Sequence, residues 1–213
     1  MYRGVRKTGL MISAVVMLAL PAAAQVRYGV RAGLAYSALT QRIDLDYRPG
    51  ARLGFSIAGL ADIPFYRRFS FRPELSLAFQ GGAYLSRPDE SGAYQAHAKY
   101  GGYAIQLPLD VAFNIPMPAG VKLAVYGGPA LDFHLFGETT IKGMGESPAP
   151  DVVKKDPDAF DLGANVGISV EYRKVFFSIA VLCGTFDRRA VKHEGEYPVF
   201  QNNATFSLGY FFR

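Results

Sequence analysis

The chain has 213 residues and a net charge of +5, with 50% hydrophobic, 19% charged and 14% aromatic residues, 23 Gly, one Cys and no Trp. This excludes a disulfide framework and any multi-Cys zinc site, and also a disordered or collagen-like chain. The mean hydropathy of +0.09 is too low for a bundle of membrane helices, yet high for an ordinary water-soluble domain.

Residues 1–24 read as a signal peptide. Arg3, Arg6 and Lys7 form a basic segment, and Leu10 to Leu20 is an uncharged run of 11 residues. Pro21 ends the run, and Ala22-Ala23-Ala24 supplies a small-residue cleavage site before Gln25. Such a run is too short for a spanning helix, which needs about 20 residues. Removing it leaves 20 Lys+Arg against 18 Asp+Glu. A nucleic-acid partner is not expected, since that needs a concentrated basic face.

From residue 25 to 213 the chain alternates apolar and polar side chains, the period of a strand with two different faces. The first strand, about 26–38, sets Tyr28, Val30, Ala32, Leu34 and Tyr36 against Arg27, Gly29, Arg31, Gly33 and Ser37. The second, about 50–61, sets Leu53, Phe55 and Ile57 against Arg52, Gly54, Ser56 and Ala58. The third, 69–80, is the clearest: Phe69, Phe71, Pro73, Leu75, Leu77 and Phe79 oppose Ser70, Arg72, Glu74, Ser76, Ala78 and Gln80. The fourth, about 99–114, sets Tyr103, Ile105, Leu107, Leu109, Val111 and Phe113 against Gln106, Asp110 and Asn114. The fifth, about 121–136, sets Val121, Leu123, Val125, Leu131, Phe133 and Leu135 against Lys122, Tyr126, Asp132 and His134. The sixth, about 159–172, sets Phe160, Leu162, Ala164, Val166, Ile168, Val170 and Tyr172 against Asp161, Gly163, Asn165, Gly167, Ser169 and Glu171. The seventh, about 175–186, is apolar on both faces, and its parity stays open. The eighth, about 200–213, sets Ala204, Phe206, Leu208, Tyr210 and Phe212 against Gln201, Asn203, Thr205, Ser207 and Gly209.

Short turns (Asp62 to Arg68, Ile115 to Gly120, and Arg173-Lys174) alternate with longer loops at 39–49, 81–98, 137–158 and 187–199. Two closed barrels fit eight antiparallel strands. A soluble lipocalin-like barrel puts its apolar face inside, and a membrane barrel puts it outside. The polar face is rich in Gly, Ala and Ser, which suit the narrow interior of eight strands. Its charges balance, with Arg27, Arg31, Arg52, Arg72 and Lys122 against Glu74, Asp110, Asp132, Asp161 and Glu171. Buried charge needs that balance. The alternation of turns and loops is that of outer-membrane barrels. The expected fold is therefore an all-β, eight-stranded, antiparallel, up-and-down transmembrane β-barrel, in contact with outer-membrane lipid.

The chain resembles the PorT-type outer-membrane β-barrel family of Gram-negative bacteria. The carrying features are Gly29-Val30-Arg31-Ala32-Gly33-Leu34, Arg72-Pro73-Glu74-Leu75 with Gln80-Gly81-Gly82, and Tyr103 to Leu109 around Leu107-Pro108-Leu109. Tyr126-Gly127-Gly128-Pro129 and Asp161-Leu162-Gly163 with Gly167 complete the set. Barrels of this kind often end on an aromatic residue read by the barrel-insertion machinery. Here Phe212 is penultimate and Arg213 is last, a departure from that pattern. The resemblance implies a location in the Gram-negative outer membrane, and for some members a part in a secretion or envelope-assembly complex.

With both termini on the periplasmic side, Arg27, Arg31, Arg72, Glu74, Asp110, Lys122 and Glu171 fall in the inner half of the lumen. Arg52, Asp132, His134 and Asp161 fall nearer the outer rim. Such a set serves a salt-bridged plug, and an open pore is not expected because side chains fill an eight-stranded interior. A narrow polar path or proton relay is the functional alternative. Asp132 and His134 share a face, and Asp161 on the next strand could orient His134 as an acid–base pair. No Ser or Cys nucleophile is clearly placed beside them, so an enzyme is not expected. His97 and His193 lie in separate loops, which does not suit a metal site. Gly127-Gly128-Pro129 lacks the following helix of a phosphate loop, so no cofactor is implied. Cys183 reads as an inert small hydrophobe. The expected role is structural or interactive, through loops 81–98, 137–158 and 187–199.

Overall fold

The computed structural model describes residues 26–41, 47–86, 96–141, 160–186 and 199–212. The expected signal peptide and the central parts of the four long loops lie outside these residues. Eight strands form one closed antiparallel barrel in sequential order, β8 pairing back onto β1. They are β1 (Arg27–Gln41), β2 (Tyr47–Tyr66), β3 (Phe69–Ser86), β4 (Ala96–Pro116), β5 (Val121–Ile141), β6 (Phe160–Tyr172), β7 (Val175–Gly184) and β8 (Val199–Phe211). Closure leaves no edge strand, so the backbone groups of the wall pair within the wall.

The alternation resolves into two surfaces. Leu53, Phe55 and Ile57 are 68%, 68% and 57% exposed on the outside, while Ser56 and Ala58 between them are buried. The outer face of the strands is mainly apolar in this way, and the inner face carries small, amide and charged side chains with a few large apolar ones. In β7 the parity is now defined. Phe176, Ser178, Ala180 and Leu182 face inward, and Val175, Phe177 and Cys183 face outward.

The wall is uneven in height. β2 to β5 have 20, 18, 21 and 21 residues, whereas β6 to β8 have 13, 10 and 13. About 9–11 tilted residues cross an apolar bilayer core. All three short connections lie at one end, so the surplus of β2–β5 projects at the opposite, loop end. The expected strands are too short: β3 and β5 run on past 80 and 136 at the loop end, and β2 runs on past 61 at the short-turn end.

Among the register shifts of the wall, two bear on the lumen and its rim. In the β4–β5 ladder Tyr103 pairs with Phe136 but Ala104 pairs with His134, so Leu135 is an extra residue. Leu135 and Phe136 are then both exposed, as a bulge requires. In the β2–β3 ladder Gly50 pairs with Ala83 and Ser56 with Ala78, which puts one extra residue in β2. The three short connections close in different ways. Residues Arg67-Arg68 and Arg173-Lys174 make two-residue turns, and Pro118–Gly120 forms a single 3-10 turn.

Candidate functional site

The lumen at the short-turn end is filled by one ionic network, assembled by cross-strand register. Arg27 and Asp62 are register partners of β1 and β2, and Lys122 and Glu171 are partners of β5 and β6. Arg27 donates to Glu171 at 2.5 Å and also to Asp62. Lys122 lies 2.7 Å from Glu171 and 3.7 Å from Asp62, and Arg72 lies 3.8 Å from Asp62. Three cations thus converge on the Asp62 carboxylate. Asp62 was expected to lie in a turn, but β2 continues past it and turns it inward, 2% exposed.

One level further in, Arg31 grips Glu74 with two hydrogen bonds, 2.8 Å from Nε and 2.5 Å from its terminal nitrogen. Arg31 also donates to Ser207 at 2.6 Å. Arg72 donates to Ser169 at 3.2 Å, and Asn165 donates to Asp110 at 2.7 Å. Such charge-assisted, forked contacts are the stronger kind.

Aromatic rings complete the filling, and each lies over a glycine. Tyr126 covers its partner Gly167, where a Cβ would lie 2.5 Å from the ring. Phe176 covers its partner Gly209, and Phe211 its partner Gly29. Phe176 and Phe211 stack with centroids 4.8 Å apart, and the Arg27 guanidinium sits 4.2 Å above Phe211. Phe79, expected on the lipid face, is instead buried. Its ring packs where a Cβ of Gly54 would be, 5.6 Å from the Arg52 guanidinium and edge-on to Tyr103. The bulge in β2 opens the space for it.

Nearer the loop end a second layer crosses the lumen. Asp132 accepts hydrogen bonds from Gln80 and, at 3.4 Å, from Gln106. Ser37 of β1 accepts from Gly81 N of β3 at 2.9 Å and from Gln201 of β8 at 2.8 Å. Gln201 also donates to Gly81 O at 3.3 Å, and Asn203 to Phe79 O at 3.2 Å. β3 pairs with neither β1 nor β8 in the wall, so these bonds tie the β3 backbone to strands two and three places away in the ring. Arg52 donates to Tyr100 O at 2.8 Å.

Asp161, expected to orient His134, is the register partner of Asp132. Asp161 Oδ1 accepts the backbone N–H groups of Thr185 and Phe186, at 3.3 and 2.9 Å, and so caps the end of β7. His134 is half-buried beside the Leu135 bulge. The structure therefore brings Arg31 to Glu74, Lys122 to Glu171, Gln80 to Asp132 and Asn165 to Asp110, and sets Arg52 apart with Phe79 and Tyr100. Among the described residues the inward charges are five basic and six acidic, because Asp62 joins the acidic set. The expected balance of five against five is corrected by that residue. His193 lies outside the described residues.

An apolar exterior, a closed wall and a polar filled interior are the three properties that a β-barrel in lipid needs. Solved structures similar in fold include Ail, the attachment invasion locus protein of Yersinia pestis, at 15% identity over 87% of this chain and 98% of Ail, with a TM-score of 0.42. Neisserial surface protein A matches at 14% identity over 86% of this chain and 96% of its own, with a TM-score of 0.42. OprG of Pseudomonas aeruginosa matches at 10% identity over 88% of this chain and 96% of its own, with a TM-score of 0.43. No curated protein matches the chain. Residues 21–187 match the outer membrane protein beta-barrel domain, and the chain belongs to that family.

Proposed function

We propose that this protein is a closed, non-conducting barrel of the Gram-negative outer membrane that acts through its loop end. The carrying observation is that the lumen is crossed at two levels. The Asp62 network fills the short-turn end, and the Ser37–Gly81–Gln201 bonds tie β3 across the loop end. An ion entering would have to displace paired charges, which are costly to separate when buried.

The surplus length of β2–β5 carries the loops at 81–98 and 137–158 away from the bilayer, as a platform for binding. This height favours a second, more specific reading: docking of envelope or secretion-complex proteins, in line with the PorT-type motifs of the sequence. Export by cleavage of residues 1–24 and handling by the barrel-insertion machinery belong to the same reading. Purified protein in planar bilayers tests the closed barrel. Steady conductance steps in the wild type would refute it, and a flat baseline is expected. Cross-linking in cells, followed by pull-down with and without residues 142–159, tests the platform. Loss of captured envelope proteins on deletion is the expected result.

A further inference from the structure

The three short connections at one end differ in chemistry. Pro116 to Val121 carries no charge and turns through Ala119 and Gly120, at φ 60° and 75°. The other two share a pattern, Tyr66-Arg67-Arg68-Phe69 and Tyr172-Arg173-Lys174-Val175. In each the first turn residue is an arginine in the left-handed region, at φ 43° and 59°. Glycine or asparagine takes that conformation at less cost, so the turn itself does not call for arginine. In each the guanidinium carbon lies 5.3 Å from the ring centroid of the preceding tyrosine.

Both turns are held by a neighbouring strand. Arg68 O accepts Asn114 N at 2.7 Å and Asn114 Nδ2 at 3.2 Å. Lys174 O accepts Phe211 N at 2.8 Å, and Lys174 Nζ donates to Phe212 O at 3.2 Å. The three connections together carry four cations and no carboxylate. Asp62 and Glu171, the acidic residues next to these turns in the chain, face inward and are bound by Arg27 and Lys122. Around the turns, Tyr28, Phe65, Tyr66, Tyr172 and Phe212 are exposed on the outer face. Such rings sit at the lipid–water boundary, which sets the arginines at the depth of lipid phosphates. The turns join β2 to β3 and β6 to β7, so they stand on opposite sides of the eight-stranded ring.

We propose that the two Tyr–Arg turns bind the phosphates of anionic phospholipids in the leaflet at the short-turn end, one on each side of the barrel. The guanidinium fork matches a phosphate, the tyrosine ring holds its plane, and Arg68 or Lys174 adds a second charge. A zwitterionic headgroup brings its own ammonium into this cationic cluster, which disfavours it. Two such contacts on opposite sides fix the depth and tilt of the barrel. None of this depends on whether the lumen is closed.

The test is native mass spectrometry of full-length barrel released from vesicles of equal phosphatidylglycerol and phosphatidylcholine. Wild type is expected to retain phosphatidylglycerol preferentially. The variant carrying Arg67→Gly and Arg173→Gly suits the left-handed turns, so it keeps its heat-modifiable gel migration. Its preference should fall by about fivefold for each arginine removed, at low salt. Unchanged preference in the folded variant overturns the proposal. A parallel arm adds inorganic phosphate or chloride at matched ionic strength. A phosphate-specific loss that needs a large excess over the phosphatidylglycerol supports a lipid site, and displacement of the lipid by an equimolar amount of inorganic phosphate overturns the lipid assignment.

Discussion

The Arg31–Glu74 pair gives the sharpest test of the filled lumen. Their side chains are 8% and 11% exposed, and the two contacts are 2.8 and 2.5 Å. Glu74→Gln keeps the shape but leaves the guanidinium without its counter-charge. Removing one partner of a buried pair costs about 3–5 kcal/mol. Arg31 keeps Ser207 at 2.6 Å and Thr205 at 3.4 Å, so the lower end applies, about 3 kcal/mol. That is more than a hundredfold in the folding equilibrium, at about 1.4 kcal/mol per tenfold. The double variant Arg31→Met with Glu74→Met removes both charges at similar volume, and should recover most of the loss. The chain has no Trp, so urea unfolding from phospholipid vesicles is followed by far-ultraviolet circular dichroism and by the folded band on unboiled gels. A single-variant cost below about 1 kcal/mol, or a double variant no more stable than the single, would show that this pair is not a buried element of the plug.

Three further outcomes follow from the wall and its filling. Gly167→Ala places a Cβ 2.5 Å from the Tyr126 ring, and should cost about 1–3 kcal/mol by overpacking; the cost should vanish in a Tyr126→Leu background, and an equal cost there would refute the contact. Leu77→Arg, on the outer face at 36% exposure, should cost about 2–4 kcal/mol if it lies near the bilayer midplane, and unchanged stability in vesicles would mean that this face does not meet lipid. The β3–β4 pairing stops at Pro73↔Leu109 and resumes at Ser76↔Gln106, and the β4–β5 pairing stops at Pro108↔Ala130 and resumes at Val111↔Gly127. Proline donates no hydrogen bond, so amides in these gaps should exchange about fivefold faster than those around Ala78, for one bond of about 1 kcal/mol. Uniform protection along β3 and β4 would refute that reading.

Much of this barrel is legible in the sequence because a strand between lipid and a packed lumen must alternate. Leu53, Phe55 and Ile57 against Arg52, Ser56 and Ala58 is enough to place β2 and its faces. What alternation misses is set by partners on other strands. Asp62 is followed by Pro64 and two arginines, a local pattern that reads as a turn. Its place in the wall follows from pairing with Arg27, 35 residues away. Phe176 and Phe211 are aromatic residues inside a polar lumen and Phe79 is buried against β2, which their own strands cannot explain. Each sits where Gly54, Gly209 or Gly29 across the ladder leaves room. For Phe176 and Phe211 the readable signal is a glycine at the partner position, which needs the register before it can be used.

The lumen also shows why a count of charges is a partial guide to a buried network. Six carboxylates face five fixed cations, yet the surplus is not left bare. Neutral donors serve the carboxylates that the cations do not reach: Asn165 for Asp110, Gln80 and Gln106 for Asp132, and the N–H groups of Thr185 and Phe186 for Asp161. An amide gives a carboxylate a hydrogen bond without bringing a second ion out of water, and so avoids part of the cost of a buried pair. The cations gather instead where three of them share Asp62. The two layers therefore differ in kind. The short-turn layer is ionic and is broken by removing a charge, whereas the loop-end layer is held by amides and backbone and is broken by removing a donor.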